Sequence, residues 1–560
     1  MPRRLPPAPR LSGAFLRAAA RAARTKTGSV AVYHALRADL KIGELEELPA
    51  EARGGPPLHN RVVAARPPRA AEDARLPLPA PPWSGTSASY VAHYTQGTLT
   101  PEDVVVRCLA AARELAGRMP TVGPLHEEMP KKAALGEASE SRARYAAKAP
   151  RGSFDGVPFA VKEQTAVRGF ARQVGTIFID PMPMKEDGTC VAELRRAGAL
   201  VLGTTPMTEL GMSPSGQNKH RRLPKNPHDP RHIAGGSSTG SGVAVATGLV
   251  PFALGADGGG SIRIPSAING VFGIKPTWGR VSRAGDYAVD STVAHVGPIA
   301  SSTADLARVL EAISGPDPLD PETLFAAPAK PAAGEFLAAL GRGVRGLVIG
   351  VDEEEWADAS PSVQRAGQDA LRALEREGAT LQRVRIGLAR QAPLIGYMAI
   401  GLETRGALQV DWKRHAGDMG YDLQIAMAAL GEAKATDHVD AQRLRSGLRR
   451  EVAGVFQRVD LLALPTTVDT ATAASEDEMA SGFLDARVLA GLVRFNFLAN
   501  LTGLPALSAP VGLDARLLPI GLQLVGDAWD EATVLAASAH LERLGAAKVE
   551  RPAVSVRILP

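Results

Sequence analysis

Apolar runs bounded by turn signals predict alternating strands and helices in the region after residue 150. Residues 157–161 (VPFAV) form a short, wholly apolar run that is typical of a buried strand. A helical pattern follows at 190–198 (CVAELRRAG), and a second strand-like run follows at 199–205 (ALVLGTT). A strand, a helix and a strand in this order form a βαβ unit, whose strands pair in parallel. The pattern therefore predicts an α/β fold.

Further patterned segments extend this prediction to the rest of the chain. Thr100 and Pro101, followed by two acidic residues, mark the start of a helix with Val104 and Cys108 on its apolar face. Residues 386–430 carry no catalytic motif and are interpreted as core packing or as a substrate-facing layer. Later segments are predicted as helices at 304–314 and 361–377, as strands at 346–351, near 381 and at 459–465, and as a closing pair of strands at 504–511 and 521–525. Together they predict a mixed central β-sheet with α-helices on both faces.

The first 86 residues differ in pattern from the rest of the chain. Residues 1–30 are basic and alanine-rich, with an apolar run too short for a secretory signal or a membrane span. They are interpreted as an Arg-rich transit or surface helix, or as a solvated extension. Residues 47–86 are rich in proline and are typical of an extended arm. The prediction is an N-terminal extension over 1–86 and a catalytic domain over 87–560.

Composition and charge exclude several classes of protein. The 560 residues are 45% hydrophobic and 22% charged, which indicates an ordinary globular chain. A net charge of +5 and an aromatic share of 4% do not suggest a nucleic-acid partner. The two cysteines, Cys108 and Cys190, lie in helix-like segments and are predicted to be buried thiols. This is compatible with a reducing compartment, and a cytoplasmic location is expected.

Two clusters of small residues stand out as candidate chemistry. The first spans 235–242 (GGSSTGSG), and the second is Gly258, Gly259 and Gly260 followed by Ser261. A glycine triplet is unfavourable in helices and strands unless the backbone must turn sharply or approach another group closely. Successive N–H groups in such a turn stabilise negative charge, as in the transition state of acyl transfer. Ser261 is therefore the candidate nucleophile, and the three glycines are the candidate oxyanion hole.

A serine nucleophile needs a base, and Lys162 is the preferred candidate. It ends the apolar run at 157–161, so its amine would be surrounded by apolar neighbours that favour the neutral, basic form. Histidine is the more usual base. However, His220, His228 and His232 lie in a segment rich in arginine and proline that is predicted to be an exposed loop.

These residues resemble the amidase signature family, and the resemblance extends from about Ser87 to about Leu541. Lys162 matches the family's strand-borne lysine, Ser237 its bridging serine, and Ser261 its nucleophile within Gly-Gly-Ser-Ile-Arg-Ile-Pro. Departures from the family pattern are Glu163-Gln164 for Asp-Asn, Thr239 for Gly, and Gly258 for Thr or Ile. Other matching motifs are Asn226-Pro227, Gly273-Ile274-Lys275-Pro276-Thr277, Gly279-Arg280-Val281-Ser282, His295-Val296-Gly297-Pro298 and Leu501-Thr502-Gly503-Leu504-Pro505.

The resemblance implies an amide hydrolase that works through a serine acyl-enzyme. In it, neutral Lys162 takes a proton from Ser237, and Ser237 takes the proton of Ser261 as Ser261 attacks the carbonyl carbon. The resemblance also implies a cis peptide bond before Ser237. The predicted substrate-binding residues are 211–213 (Gly211, Met212 and Ser213). No cofactor or metal is expected, and the expected partner is a small-molecule amide.

Within the family interpretation, several points stay open at this stage. Fatty acyl, aryl, peptide-terminal and carbamoyl amides are all candidate substrates, with long-chain lipid amides less favoured. A homodimer is a candidate assembly. The alternative activity is that of the A subunit of a glutamine-dependent tRNA amidotransferase, against which the long N-terminal extension argues mildly.

Three interpretations compete with the amidase interpretation. The glycine spacing Gly235-x4-Gly240 suggests a phosphate-binding loop, but Ser241 stands where that loop needs a lysine. Residues 236–240 also match G-x-S-x-G with Ser238 as nucleophile, yet no strand precedes them, as an α/β-hydrolase requires. A non-catalytic protein on the same fold would not need all three triad residues.

Overall fold

The computed structural model describes residues 10–39, 45, 48, 62–65, 76–119, 123–287, 289–326 and 330–560. Its centre is an eleven-stranded sheet with the order β2-β4-β3-β5-β7-β6-β12-β13-β10-β8-β9. The strands of this sheet are β2 (Glu127–Glu128), β3 (Pro158–Lys162), β4 (Leu200–Thr205), β5 (Phe252–Asp257), β6 (Phe272–Lys275), β7 (His295–Ala300), β8 (Val348–Val351), β9 (Thr380–Arg383), β10 (Leu461–Pro465), β12 (Ala506–Leu513) and β13 (Pro519–Gly526). A separate two-stranded ribbon pairs β1 (Leu11–Ser12) with β11 (Phe483–Leu484).

Helices surround the sheet and pack either against it or against other helices. The described helices are α1 (Gly13–Ala23), α2 (Lys26–Asp39), α3 (Ser87–Gln96), α4 (Pro101–Arg118), α5 (Lys131–Ala146), α6 (Thr189–Arg196), α7 (Thr239–Ala246), α8 (Arg263–Asn269), α9 (Thr303–Ile313), α10 (Pro321–Ala326), α11 (Glu335–Ala339), α12 (Glu353–Trp356), α13 (Pro361–Arg376), α14 (Ala392–Ala407), α15 (Gln409–His415), α16 (Tyr421–Leu430), α17 (Ala435–Phe456), α18 (Glu476–Ser481), α19 (Ala486–Val493), α20 (Phe497–Thr502) and α21 (Glu531–Arg543). The predicted class, a mixed sheet between helices, is confirmed.

The predicted βαβ unit is present. Strands β3 and β4 pair in parallel, with α6 between them in the chain, and β3 also pairs in parallel with β5. All five residues of β3 are buried, as its apolar sequence predicts for a strand covered on both faces. This placement puts Lys162, the last residue of β3, inside the protein.

One topological expectation was wrong. Strands β12 and β13 do pair with each other, but they lie in the middle of the sheet, between β6 and β10, rather than at a closing edge. The edges are instead β2 and β9. The buried, apolar character of β12 and β13 fits their central position, since a central strand has neighbours on both sides as well as on both faces.

Part of the N-terminal extension is folded onto the body of the protein. On α1, Leu16, Ala20 and Ala23 recur at helical spacing and are buried against Ile425 and Ala428 of α16. Residues 11–39, a short strand and two helices, are therefore docked on the protein surface and are not a solvated extension. Most of the proline-rich arm at 47–86 lies outside the described residues.

Candidate active site

Lys162 is held in the interior at the end of β3. Its side chain is about 1% exposed, and its Nζ donates a hydrogen bond to Ser237 Oγ at 2.8 Å. A second, longer contact joins Nζ to the carbonyl oxygen of Ala256 at 3.4 Å. Burial lowers the pKa of Lys162 to about 8, although the negative charges of Asp286, Asp290, Asp257 and Glu163 oppose this shift. A substantial neutral fraction therefore exists near neutral pH, which an exposed lysine lacks.

Ser237 lies in an irregular loop just before α7. The Gly236–Ser237 peptide bond is cis, as the family resemblance implied. The loop is tied to the glycine turn because the N–H of Ser238 donates to the carbonyl oxygen of Ser261 at 3.2 Å. Gly211 packs so closely that a Cβ atom on it would lie 3.4 Å from Ser237 Oγ. The two small-residue clusters, separate in sequence, thus meet at one place.

The glycine turn between β5 and α8 is anchored by Asp257. This carboxylate accepts hydrogen bonds from the N–H of Gly260 at 2.7 Å and from Arg263 Nε and Nη2 at 3.0 and 2.9 Å. Asn500 Nδ2 donates to it at 2.9 Å. Burial alone would raise the pKa of Asp257, but the Arg263 charge and these hydrogen bonds outweigh it and hold the pKa below its usual range. The turn therefore rests on a buried, fully paired carboxylate.

The direction of the backbone N–H groups in this turn corrects one detail of the sequence prediction. The Gly260 N–H is already donated to Asp257, so it is not available to a bound oxyanion. Gly260 contributes its conformation instead, with φ at +119°, which a residue with a side chain rarely adopts. In the described structure the N–H groups of Gly258, Gly259 and Ser261 are not donated to any protein acceptor.

A narrow pocket of about 20 Å³ opens at this meeting point. Lys162, Ser237 and Ser261 all line it, which brings together the three residues that the sequence singled out. Gly211 and Met212 line it as well. Ser213, the third predicted substrate-binding residue, lines a neighbouring pocket instead.

That neighbouring pocket is much larger and mainly apolar. Its volume is about 260 Å³, and Met212 lines both pockets, so the two adjoin. Residues of α14 and α16, including Tyr397, Met398 and Ile425, form one wall. The N-terminal segment contributes Leu11 and Leu36 to another. The segment 386–430 therefore lines a pocket beside the predicted nucleophile as well as packing in the core.

The rejected histidine candidates are accounted for by their contacts. His220, His228 and His232 are largely buried, so the prediction of an exposed loop was wrong. The loop packs inward, where His220 contacts Glu209 at 3.0 Å and His228 contacts the carbonyl oxygen of Asn269 at 3.2 Å. None of the three lines the pocket of Ser261.

The side chains of Ser238 and of the two cysteines are buried and are not presented to either of these pockets as nucleophiles. The Ser238 hydroxyl donates to the carbonyl oxygen of Ala256 at 3.1 Å and is fully buried, so it is not presented as a nucleophile. Cys108 and Cys190 are free and buried, as predicted. Burial raises the pKa of both thiols well above the usual range, which keeps them protonated.

Sequence reasoning missed two acidic residues in the pocket. Asp257 directly precedes the glycine triplet, and that adjacency was a usable signal for a residue that supports the turn. Asp290 also lines the pocket, from a loop before β7. It belongs to no motif, and nothing local in the sequence indicates its position.

Two other kinds of functional feature are missing from the described part of the chain. No group of three His, Cys, Asp or Glu residues in the described ranges is placed to hold a metal ion. Among the described helices, none combines the length and the apolar character that crossing a membrane requires.

Comparison with known proteins shows the family of this chain. A family model described as Amidase matches residues 110–535. A fatty acid amide hydrolase from Arabidopsis thaliana is 33% identical over 475 residues, covering 84% of this chain and 78% of that protein. The A subunit of the glutamyl-tRNA(Gln) amidotransferase of a Thermus thermophilus strain is 36% identical over 334 residues, covering 56% of this chain and 70% of that protein.

Solved structures show the same likeness in three dimensions. A bacterial aryl acylamidase of the amidase signature family superposes with a TM-score of 0.71 at 26% identity, covering 82% of this chain and 96% of that one. The family match spans the lysine strand, both serine clusters and most of the central sheet. The chain belongs to the amidase signature family of amide-hydrolysing enzymes.

Proposed function

We propose that this protein hydrolyses a carboxylic amide to a carboxylate and ammonia or an amine, with Ser261 as nucleophile, Ser237 as bridging residue and Lys162 as base. The observation that carries the proposal is the 2.8 Å contact of the buried Lys162 amine with Ser237, in the pocket that Ser261 also lines. When the amine is neutral, the same contact allows the Ser237 hydroxyl to donate to it.

The proton movements balance at each step. Ser261 Oγ bonds to the carbonyl carbon while its proton passes to Ser237, whose own proton passes to Lys162. As the C–N bond breaks, Ser237 gives its proton to the departing nitrogen, which leaves as a neutral amine or ammonia, and Lys162 returns a proton to Ser237 and becomes neutral again. Water then attacks the acyl ester by the same relay, which releases the carboxylate and restores Ser261.

The glycine turn is suited to stabilise the oxyanion. The N–H groups of Gly258, Gly259 and Ser261 have no acceptor in the described protein and are the proposed donors. Gly260 and Asp257 fix the turn rather than donate. The Asp257 carboxylate is neutralised by Arg263, so its charge opposes the developing oxyanion less than an unpaired carboxylate would.

The large apolar pocket indicates the shape of the substrate. Because it adjoins the narrow pocket at Met212, an apolar group attached to the amide can lie there while its carbonyl reaches Ser261. Amides with a bulky or extended apolar group are therefore the proposed substrates. The name of the Arabidopsis relative, a fatty acid amide hydrolase, is consistent with this class. Lipid amides, which the sequence alone made less favoured, are therefore included among the proposed substrates.

The second candidate function is that of an amidotransferase A subunit, which the Thermus relative's name supports. The two functions differ in what the isolated chain can do. Purified protein that hydrolyses apolar amides alone supports the hydrolase. Glutamine hydrolysis that appears only with added partner proteins supports the amidotransferase.

Labelling with a fluorophosphonate tests the proposed nucleophile. The probe should form an adduct that peptide mapping locates on Ser261, and Ser261→Ala should abolish it. An adduct on Ser238 would contradict the proposal and favour the G-x-S-x-G interpretation.

A further inference from the structure

Asp290 is a buried carboxyl at the narrow pocket, and its hydrogen bond within the described protein comes from its own backbone N–H. It is 6% exposed and lines the pocket together with Lys162 and Ser261. No other described residue donates a hydrogen bond to its carboxyl oxygens. Buried polar groups are nearly always hydrogen-bonded, so an unpaired carboxyl that faces a pocket indicates a missing partner.

The absence of a side chain at Gly258 allows the Asp290 carboxyl to pack directly against the glycine turn. A Cβ atom on Gly258 would lie 2.2 Å from Asp290 Oδ2 and 3.0 Å from Ile400 Cδ1. The carboxyl therefore occupies the space that any other residue at position 258 would fill. It rests directly on the turn whose N–H groups are the proposed oxyanion donors.

An unpaired negative charge at this place would work against catalysis. The transition state of amide hydrolysis places an oxyanion at the same turn, and two negative charges close together in a buried site repel strongly. Positive charge brought by the substrate would remove the conflict. It would also supply the hydrogen-bond donor that Asp290 lacks.

We infer that Asp290 is a specificity residue that binds a cationic or strongly hydrogen-bond-donating nitrogen placed within a few bonds of the scissile carbonyl. The inference rests on the proposed function and deepens it, since it adds a polar requirement to the apolar group that fills the larger pocket. Asp290, Ser261 and Lys162 line the same narrow pocket, so a nitrogen that binds Asp290 lies close to the carbonyl that Ser261 attacks.

The charges around Asp290 agree with this role. Burial, together with the negative charge of Glu403, raises the pKa of Asp290 to about 7, while Arg283 and Lys162 act in the opposite direction. Glu403 is itself satisfied, because Thr292 donates to it from both its N–H and its hydroxyl. Asp290 is thus the unsatisfied member of this acidic pair. A metal ion is a poor alternative partner, since the described residues provide no cluster of three ligands.

The nitrogen could belong to the acyl side or to the leaving amine, and matched pairs of amides distinguish them. Phenylalaninamide and 3-phenylpropanamide differ only in an α-ammonium on the acyl side. The N-(2-aminoethyl) and N-propyl amides of 3-phenylpropanoic acid differ in a charge on the amine side. Assays at about pH 7 keep the α-amino group mostly protonated, since its pKa is about 7.7.

In one of the two pairs, the cationic amide should exceed its neutral partner in kcat/KM by about 10- to 100-fold, as a charge-assisted hydrogen bond predicts. Asp290→Asn should reduce that ratio towards one. Glu403→Gln is the matched control, because it removes a neighbouring charge that does not line the pocket and leaves Asp290 in place, so it should not lower the ratio. Ratios near one for both pairs in the wild type, or a ratio that Asp290→Asn leaves unchanged, would overturn the inference.

A labelling experiment keeps the test independent of turnover and of the variant's stability. Diphenyl 1-amino-2-phenylethylphosphonate should label wild-type Ser261 at least about tenfold faster than diphenyl 2-phenylethylphosphonate if the nitrogen belongs to the acyl side. If the amides place it on the amine side, the two phosphonates should react equally. Ser261 labelling with no cationic preference in any pair overturns the inference alone. If fluorophosphonate also leaves Ser261 unlabelled, the proposed function fails and the inference fails with it.

Discussion

Two buried aspartates lie on either side of the glycine turn that carries Ser261, and they have opposite electrostatic surroundings. Asp257 is fully buried and paired with Arg263, Asn500 and the Gly260 N–H, which hold its pKa low. Asp290 is nearly as buried but has no such partner in the described protein, and burial raises its pKa to about 7. Burial by itself does not determine the state of a carboxyl; its partners do.

The pocket therefore has a completed half, in which the polar groups have hydrogen-bond partners within the protein, and an incomplete half at Asp290, which has no partner from another described residue. Lys162 donates to Ser237, and Asp257 accepts from Arg263, so these polar groups are hydrogen-bonded within the protein itself. On the side of Asp290, the proposed hydrogen-bond partner of the carboxyl is a nitrogen of the substrate. Under the proposed function, the completed half carries out the reaction, and Asp290 in the incomplete half selects the substrate.

The largest expected effect comes from breaking the completed half at Lys162. Lys162→Ala should lower kcat by about 10⁴-fold, because the base of the relay is lost while the buried amine leaves only a modest cavity. Ser237→Ala should lower it similarly, and the double variant should be little worse than either, since residues of one relay lose activity non-additively. Steady-state kinetics on a hydrolysed amide measure all three.

Lys275 offers a matched control for this prediction. It is also a fully buried lysine, but it donates to the carbonyl oxygens of Leu504 and Pro276 at 2.6 and 2.9 Å and does not line the pocket. Lys275→Met should lower the melting temperature, and it should reduce kcat far less than Lys162→Ala does. If both lysine variants lost stability and activity in the same proportion, Lys162 would be a structural residue.

The second effect is on stability and concerns Asp257. Asp257→Ala would leave the Arg263 guanidinium buried without its carboxylate, which costs about 3–5 kcal/mol. Chemical denaturation should show this loss. The Asp257→Ala,Arg263→Met double variant should recover part of it, since neither charge is then left unpaired. A single variant as stable as the wild type would contradict the account of the turn.

The smallest effect sharpens the comparison from the other side. The pKa of Asp290 is raised to about 7 on folding, so the folded protein keeps a proton that the unfolded chain loses at about pH 4. Asp290 therefore costs stability as the pH rises from about 4 to about 7, and this cost stays at its full size above that. Asp290→Asn does not titrate and should be more stable than the wild type at pH 8, on the order of 1–3 kcal/mol.

That advantage should shrink as the pH falls through 7 and should vanish near pH 4. Thermal denaturation of both proteins across this range measures it. Asp257→Asn is the contrasting variant, because its carboxylate stabilises the fold and its loss should destabilise the protein at pH 8. If the stability of the two variants relative to the wild type changed equally with pH, the proposed difference between Asp257 and Asp290 would be wrong.

Local sequence patterns predicted much of the candidate site. The apolar run at 157–161 predicted Lys162 at the end of a buried strand, and the glycine triplet predicted a sharp turn directly before Ser261. These features depend on nearest neighbours along the chain, which a sequence displays directly. The pairing of β3 with β4 followed from the same local order.

Features that depend on distant contacts were not predictable in this way. The position of β12 and β13 within the sheet depends on which strands become their outer neighbours. The docking of α1 depends on Ile425 and Ala428, some four hundred residues further along the chain. Asp290 packs closely against Gly258, and no periodicity or motif in the sequence indicates that contact.

The most direct test of the central claim is the pH dependence of Ser261 labelling by a fluorophosphonate, in the wild type and in Lys162→Ala. If buried Lys162 activates Ser261 through Ser237, the wild-type rate should rise with pH, reach half its maximum near the lysine pKa of about 8, and then level off. Lys162→Ala should react far more slowly and should lack this inflection. Equal rates and equal pH profiles in the two proteins would contradict the account.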